Sequence, residues 1–440
     1  MQRGQFAEII PGAMLRKLIP LLTLVWLIAS VACIARVAFV WNQQRKIPHQ
    51  VLARVPFDNE AGNIASALAQ GRGFSDVFRK PTGATAWLAP GYPLILSAIF
   101  RVCGAFTYPA FLAAVLLNCL LSSATTFPLF FAARRIAGVP SAALAAWLWA
   151  LYPNGVILPF EWIWDTSLSA FLMATILWAT VALCSTQKLR DWVAYGALWG
   201  IALLTNPALG ILFPVFLAWL VFRRPGSSIV ASKLAMAALG FALLICLPWT
   251  IRNYSIFHRV IPLRSNFPFE LWIGNNDIFD EHAVGGIQRI TQFAEIRLYT
   301  QLGESAFMDE KRRLALEFIR THRALEVRLT ARRVVATWLG TENPWRDFRS
   351  TDSWLIRTIF LFNGLILLGT ISGIAMLSWR KNRYAVPVAL IAILFPLVYY
   401  ATHTSLRYRH PMDAVLLFLT AVAIVSLVRP RSVSVEASTG

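Results

Sequence analysis

Two carboxylates and two basic residues stand close together soon after the first long apolar run of the chain. Asp58 and Glu60 come first, and Arg79 and Lys80 follow within the same polar stretch. A carboxylate can act as a general base where a membrane surface meets an aqueous pocket. The plainer alternative is a pair of solvated charges, with Asp58 acting as a helix cap. The stretch is therefore a candidate active site whose chemistry would be proton abstraction.

A second acidic site lies in the segment PFEWIWDTSLSAF, where Glu161 and Asp165 alternate with Trp162 and Trp164. Tryptophan is typical of membrane interfaces, and acidic residues at membrane depth are costly and are often functional. The alternative is that Asp165 only begins the following helix as its cap. We expect Asp165 to orient an acceptor or the base.

A third site, THTSLRYRHPMDAV, is rich in hydrogen-bond donors. It contains Arg407 and Arg409, with His403 and His410 nearby. Arginine binds phosphate through paired hydrogen bonds, so this segment could clamp a phosphate group together with Arg79, Lys80 and Arg252. The alternative is that these side chains extend toward water from the end of a membrane helix. The three sites together would suit a phosphate-linked lipid substrate.

The amino-acid composition indicates which kind of secondary structure holds these residues in place. Of 440 residues, 57% are hydrophobic and only 14% are charged, whereas soluble domains carry about 25% charged residues. The apolar runs are long and do not alternate, which predicts an all-α polytopic membrane protein. The net charge of +19 is scattered between apolar runs, which favours contact with membrane lipids and argues against nucleic acid. The five cysteines show no CxxC pattern or disulfide spacing.

Counting the apolar runs gives ten transmembrane helices, or eleven if 90–102 also crosses the membrane. Basic clusters at several span ends place both termini on the cytoplasmic side, and 90–104 then becomes an interfacial or re-entrant helix on the outer side. We interpret the first run as a retained span. The ten predicted spans are 19–41, 108–133, 139–158, 165–185, 191–205, 208–222, 232–250, 354–378, 384–401 and 410–428.

This topology predicts one membrane domain over 1–428 with two large outer segments. The first, 42–107, should contain an amphipathic helix that starts near Asn59. The second, 251–353, should contain surface helices, because Leu314, Phe318, Leu325 and Leu329 recur at helical spacing. Its first half contains Gly274, Gly285 and Gly286, which predicts a loop that can order over a ligand. The polar tail 429–440 is expected to be disordered and cytoplasmic.

Six motifs in this order resemble the GT-C superfamily of integral membrane glycosyltransferases, and more closely its bacterial members related to protein O-mannosyltransferases and the lipid A aminoarabinose transferase. The resemblance covers roughly 19–428. The motifs are NEAGNIASALAQGRGF (59–74), TGATAWLAPGYPLILSAIFRVCG (82–104), ARRIAG (133–138), LLTNPALGILFP (203–214), LPWTIRNYSIFHRVIPLRSNFPFELWIGNN (247–276) and LRYRHPMD (406–413).

The resemblance implies an inverting glycosyltransferase of the bacterial inner membrane that uses a polyprenyl-phosphate-linked sugar on the extracytoplasmic face. The acceptor hydroxyl would belong to a lipid, a glycan or a protein. Glu60 best matches the family's catalytic carboxylate and Asp58 is second, since many relatives carry Asp-Glu side by side where this chain has Asp58-Asn59-Glu60. Asp165 matches the acidic start of a later span. No cofactor is certain, although an Asp-x-Glu pair could hold a divalent cation.

Three other functions remain open from the sequence. A transporter would place polar groups at the bilayer midplane, whereas the spans here are nearly free of charge in their middles. A polysaccharide polymerase or ligase would also use lipid-linked sugars and a large late outer loop. A non-catalytic relative would bind lipid-linked glycans without turnover.

Overall fold

A computed structural model of the chain describes residues 12–223, 228–276, 289–340 and 354–428, and this part is built from helices. The predicted tail 429–440 and the glycines at 285 and 286 lie outside the described residues. The first helices are α1 (Gly12–Gln44), α2 (His49–Arg54), α3 (Glu60–Ala69), α4 (Gly91–Cys103), α5 (Tyr108–Ala124), α6 (Thr126–Ala137), α7 (Val139–Ala150), α8 (Pro153–Glu161), α9 (Thr166–Leu183) and α10 (Leu189–Thr205). The remaining helices are α11 (Phe213–Arg223), α12 (Ser228–Phe257), α13 (Phe267–Gly274), α14 (Arg289–Leu302), α15 (Glu304–Thr321), α16 (Arg323–Leu339), α17 (Trp354–Trp379), α18 (Ala385–Leu394), α19 (Leu397–Ala401) and α20 (Leu406–Val428).

The all-α polytopic class predicted from composition is confirmed. Within the described residues, six stretches of helix are long and apolar enough to cross a membrane, and the bent pair α7 and α8 makes a seventh. Each of the ten predicted spans coincides with a helix or a pair of helices, but several of these are short, so the count of ten stays a prediction. Helix α4 has 13 residues, or about 20 Å, which is shorter than a span requires.

Asn206 and Pro207 separate two helices, as the turn signal in the sequence predicts. Helix α10 ends at Thr205, and the Asn206 side chain accepts a hydrogen bond from the Ala208 amide at 3.1 Å. A short 3-10 helix, Pro207–Leu212, then leads into α11. This break matters for the site because it brings a polar asparagine into an otherwise apolar bundle.

The interior consists of two apolar cores. The first lies within the helix bundle, where α20 packs against α17, α7 and α9. The second lies beneath the outer segments, where α3, α4 and α5 meet α13 and α15. The predicted helices of the second outer segment are confirmed as α15 and α16, and Phe318 is buried as its spacing suggests.

Glu304 joins the two outer segments at the first residue of α15. Its buried carboxylate accepts hydrogen bonds from the Ala86 amide at 2.8 Å, the Ser265 hydroxyl at 2.6 Å and the Tyr299 hydroxyl at 2.8 Å. The Thr85 hydroxyl donates to the same carboxylate. Because a buried carboxylate is costly without such partners, the four donors fix segments far apart in sequence against one another.

Arg36 is a charged residue near the C-terminal end of the first predicted span, 19–41. It is buried in α1 and donates to the Ser122 hydroxyl at 2.8 Å and to the carbonyls of Trp149 and Ala150 at 3.2 and 3.0 Å. Those carbonyls lie in the last turn of α7, where the helix dipole favours a cation. Arg36 therefore stabilises the break between α7 and α8.

Candidate functional site

Asp58 and Glu60 lie on either side of Asn59, the residue that caps helix α3. Asn59 is the N-cap, since its side chain accepts a hydrogen bond from the Gly62 amide at 2.9 Å. Asp58 is therefore not needed as a cap and forms an ion pair with Arg79. Glu60 occupies the first helical turn, where the dipole favours a negative charge.

A cleft with an empty space of about 730 Å³, counted with its open mouth, lies beside the start of α3. Its walls come from α3, α4, the start of α9, the break at Asn206, α13 and the segment between α19 and α20. The polar residues that line it are Tyr92, Asp165, Thr205, Asn206, Arg264, Glu270, Tyr399, Thr402, His403 and Tyr408. The cleft thus unites both outer segments with the ends of bundle helices.

Glu270 and His403 form a hydrogen-bonded pair in this cleft. The distance from His403 Nε2 to Glu270 Oε2 is 2.5 Å, and Asn266 Nδ2 donates to Glu270 Oε1 at 2.8 Å. Burial raises the pKa of the Glu270 carboxyl, but the hydrogen bond and charge of His403, with Arg264 and Arg407, lower it overall. Glu270 is therefore held as a carboxylate at neutral pH.

Glu60 has the opposite electrostatic character. Burial raises the pKa of its carboxyl, and the nearby charges of Glu270 and Asp58 raise it further, against the opposing effects of its own amide and Arg407. No side-chain donor in the described part of the chain is hydrogen-bonded to it. A half-buried carboxylate with a raised pKa and no side-chain donor on its oxygens is suited to accept a proton.

Asp165 lies across the cleft at the start of α9. It occupies the N-cap position but makes no capping hydrogen bond to the first-turn amides. Its Oδ2 accepts from the Ser169 hydroxyl at 2.9 Å, and Asn206 Nδ2 donates to the same hydroxyl at 3.2 Å. The carboxylate is therefore oriented by a short chain of polar side chains, and its role in orienting a substrate stays a prediction.

Two arginines supply positive charge to the cleft. Arg264 lines it and, among the described residues, makes no hydrogen bond or ion pair with the protein, although its charge acts on Asp165 and Glu270. Arg407 packs over the Trp162 ring at 4.0 Å and donates to the Tyr408 hydroxyl at 2.8 Å. Its charge acts on Glu60 and Asp165. Together they can compensate an anionic ligand.

The structure separates Arg79 and Lys80 from this cleft. Both line a different groove on the outer segment, and Arg79 is paired with Asp58 there. Asp58 itself lines an apolar groove that includes Val51, Val55 and Trp162. Asp58 on one side and Arg79 with Lys80 on the other thus line two depressions that are distinct from the cleft.

Arg252 and Arg409 are engaged by the protein, which corrects their prediction as donor-phosphate ligands. Arg252 donates to the carbonyls of Thr85 and Phe74 at 2.6 and 2.7 Å and so fastens the first outer segment to the end of α12. Arg409 begins a buried cluster within α20 instead of lying in an outer loop. Its guanidinium pairs with Asp413 at 2.8 Å and also contacts Tyr152 and Asn363.

No group of three or more His, Cys, Asp or Glu side chains in the described ranges is placed to hold a metal ion. The divalent cation suggested by the Asp-x-Glu spacing gains no support from this geometry, because Asp58 faces Arg79 and Glu60 faces Glu270 and Arg407.

Arg333 links the end of α13, which carries Glu270, to the segment that carries His403. This buried residue of α16 donates to the Tyr400 carbonyl at 2.9 Å, to Asn275 Oδ1 at 3.1 Å and to the Gly274 carbonyl. A Cβ atom added at Gly274 would lie 1.8 Å from the Thr402 carbonyl oxygen. The glycine therefore allows α13 to approach the segment that bears His403.

Replacing Gly274 by Ala should separate Glu270 from His403 and destabilise the fold by about 1–3 kcal/mol, because backbone must move to admit the methyl group. Thermal unfolding of the purified protein, followed by tryptophan fluorescence, measures the effect. Gly240→Ala is the matched control, since a Cβ there meets nothing within 4 Å. Equal midpoints for the two variants would contradict the close approach.

Sequence reasoning missed Arg264 and Glu270 as site residues, although both lie within the motif 247–276 that carries the resemblance. His403 was identified only as a nearby donor. Arg264 and Glu270 show no regular spacing in the second outer segment that would indicate a site. They come close to the first outer segment only in the folded chain.

The comparisons with known proteins agree with this architecture. A family sequence model described as "Dolichyl-phosphate-mannose-protein mannosyltransferase" matches residues 88–251, which is less than half of the chain. The archaeal oligosaccharyltransferase AglB from Archaeoglobus fulgidus, solved in complex with an inhibitory peptide and a dolichol-phosphate, matches with a TM-score of 0.57. This match covers 95% of the present chain at 14% identity. The chain has the GT-C fold. The fold expected from the motif resemblance is therefore confirmed.

The GT-C chain described here spans about half the length of AglB, of which it covers 52%. A second AglB structure, tethered to an acceptor peptide containing the NVT sequon, gives a TM-score of 0.56, 14% identity and coverages of 93% and 49%. ArnT from Cupriavidus metallidurans bound to undecaprenyl phosphate gives a TM-score of only 0.36 at 14% identity, with coverages of 85% and 76%. No curated protein sequence matches the chain.

Proposed function

We propose that the chain is an inverting glycosyltransferase that moves a sugar from a polyprenyl-phosphate donor to a hydroxyl acceptor on the extracytoplasmic face of a membrane. The single observation that supports the proposal is the cleft lined by Asp165, Arg264 and Glu270 in a GT-C fold, with the charges of Glu60 and Arg407 acting beside it. The lipid phosphate named in the AglB structure and the mannosyltransferase family description support this class of donor.

Glu60 would remove the proton from the acceptor hydroxyl. The oxygen would attack the anomeric carbon from the face opposite the phosphate, and the carbon–oxygen bond to the phosphate would break with its electron pair leaving on the phosphate. A lipid phosphate is a good leaving group and needs charge stabilisation instead of an acid. One base therefore suffices, in contrast to the two carboxylates of a glycosidase.

The phosphate ligands of this proposal are Arg264 and Arg407, of which Arg407 is retained from the sequence prediction. Arg264 is the stronger candidate because it faces the cleft without a protein partner in the described part of the chain. Asp165 would orient the acceptor from the opposite wall. Glu270 and His403 would hold each other in position through their hydrogen bond.

Replacing Arg264 by Gln should weaken donor binding by about tenfold, because one charge-assisted contact to a phosphate is removed in a partly buried site. The test uses purified protein in lipid nanodiscs with a panel of radiolabelled polyprenyl-phosphate sugars and membrane extract as acceptor, and it measures donor binding, transfer and hydrolysis. Arg259→Gln, which removes an exposed charge paired with Asp309, is the control.

The proposed enzyme is supported if the wild type turns over one donor. In that case Arg264→Gln should raise KM for this donor, and Arg259→Gln should leave KM unchanged. Donor binding without transfer or hydrolysis would favour a non-catalytic binding protein. Movement of the intact donor across the membrane would favour a transporter, and formation of long products would favour a polymerase.

A further inference from the structure

A basic groove lies on the outer segment beside the cleft but is separate from it. We define the outer groove by the basic residues Arg54, Arg72, Arg79 and Lys80, which line an open depression of about 1220 Å³. Its one acidic lining residue is Asp76. The described groove therefore carries an excess of positive charge, and Arg54 and Lys80 have no hydrogen-bond or ion-pair partner within the described residues.

The loop that presents this charge is rigidly built. Asp76 pairs with Arg72, and its Oδ1 accepts from the amides of Thr82 and Gly83 at 2.9 and 3.1 Å. Its backbone lies in the left-handed region with φ of 59°, and an antiparallel bridge joins Ser75 to Ala84. These bonds close the loop at its base, so the cations at its tip are held in place at little further entropic cost on binding.

The rest of the lining fits a sugar chain. Asn63, Ser66 and Gln70 of α3 provide amide and hydroxyl groups, and Phe78 and Phe106 provide aromatic rings. Amides hydrogen-bond sugar hydroxyls, and flat rings pack against the apolar faces of sugar rings. A simple membrane-surface patch would need only the positive charge.

The position of the groove connects it to the reaction. Helix α3 contributes Ala61 to the wall of the cleft and Asn63, Ser66 and Gln70 to the wall of the groove. Arg79 at the groove is paired with Asp58, two residues before Glu60. The general base and part of the groove wall therefore belong to the same short helix, so a chain seated in the groove would lie beside α3.

We propose that the outer groove binds the acceptor, and that the acceptor is a glycan bearing carboxylate or phosphate groups. This inference rests on the proposed function, since it names the acceptor class of that reaction. Its geometry is independent of the donor site, which uses Arg264 and Arg407 in the cleft.

The test measures binding without turnover. Fluorescently labelled tetragalacturonic acid and its neutral counterpart, labelled maltotetraose, are titrated with the protein in phosphatidylcholine nanodiscs and followed by fluorescence anisotropy. The variant Arg54→Gln/Lys80→Gln removes two unpaired charges of the groove. Arg320→Gln/Arg323→Gln removes two exposed charges elsewhere on the outer segment and serves as the control.

We expect the acidic oligosaccharide to bind more tightly than the neutral one and the groove variant to weaken it about fivefold, with no effect of the control pair. Equal binding of the two sugars, or equal loss in both variants, would overturn the proposal. If phosphatidylglycerol in the nanodisc displaces the acidic sugar, the groove binds lipid headgroups and the acceptor assignment is wrong. Donor hydrolysis retained by the groove variant would leave the proposed function standing in either case.

Discussion

Replacing Glu60 by Gln should lower kcat for sugar transfer by about 10²–10⁴-fold while donor binding changes little, because the amide cannot accept the proton of the acceptor hydroxyl. The side chain keeps its size, and in the described part of the chain it makes no side-chain hydrogen bond that the substitution would break. Transfer and donor binding are measured separately in nanodiscs.

The same residue should set the acid limb of the pH profile. Burial and the charges of Glu270 and Asp58 raise the pKa of Glu60 above its ordinary 4.5, and a base loses activity once it is protonated. Transfer should therefore fall as the pH drops through that raised pKa, at a higher pH than for an exposed carboxylate. Glu60→Gln should remove this limb from the residual activity.

Two matched variants make the result specific. Glu310→Gln removes an exposed carboxylate that pairs with Arg313 and should leave transfer unchanged. Asp58→Asn breaks the ion pair with Arg79 and distinguishes the second candidate base. Full transfer by Glu60→Gln together with loss in Asp58→Asn would assign the base to Asp58, and activity in both would direct attention to Asp165.

Replacing Asp413 by Asn should destabilise the protein by about 3–5 kcal/mol, the largest effect on stability expected in the chain. Asp413 is buried and compensates Arg409, and it also accepts from the Tyr152 hydroxyl at 2.9 Å. Removing its charge would leave the guanidinium of Arg409 uncompensated in an apolar bundle. Thermal unfolding of the purified protein, followed by tryptophan fluorescence, measures the loss.

The double variant Arg409→Met/Asp413→Leu tests the reason for that loss. Because both charges are removed and the volume is kept, it should be clearly more stable than Asp413→Asn alone. Asp309→Asn, at an exposed pair with Arg259, should shift the midpoint little. A double variant as unstable as the single one would show that hydrogen bonding in the cluster, and not the unpaired charge, sets the cost.

Local signals in the sequence predicted the helices well. Apolar runs gave the bundle, Asn206-Pro207 gave the break after α10, and the amphipathic pattern after Asn59 gave α3. These features depend on residues close together in the chain, so periodicity and turn chemistry suffice to find them.

The site was predicted less completely because it depends on contacts between distant segments. Arg264 has no local pattern that separates it from the other outer arginines, and it comes near Asp165 at the start of α9 only in the folded chain. Arg409 was interpreted as an outer phosphate ligand because it stands near a span end, whereas its partners Tyr152 and Asn363 are 257 and 46 residues away. Arginine identity and span position alone do not distinguish a structural cation from a binding one.

The hydrogen bonds of the Glu304 carboxylate limit which segments can be exchanged between related proteins. It joins Thr85 and Ala86 to Ser265 and Tyr299, across as many as 219 positions of sequence. A chimera that imports only the first outer segment from a relative would lose these matched donors. The start of α15 would therefore have to be transferred together with that segment. Acceptor preference should accordingly be inherited by such paired segments and not by the first loop alone.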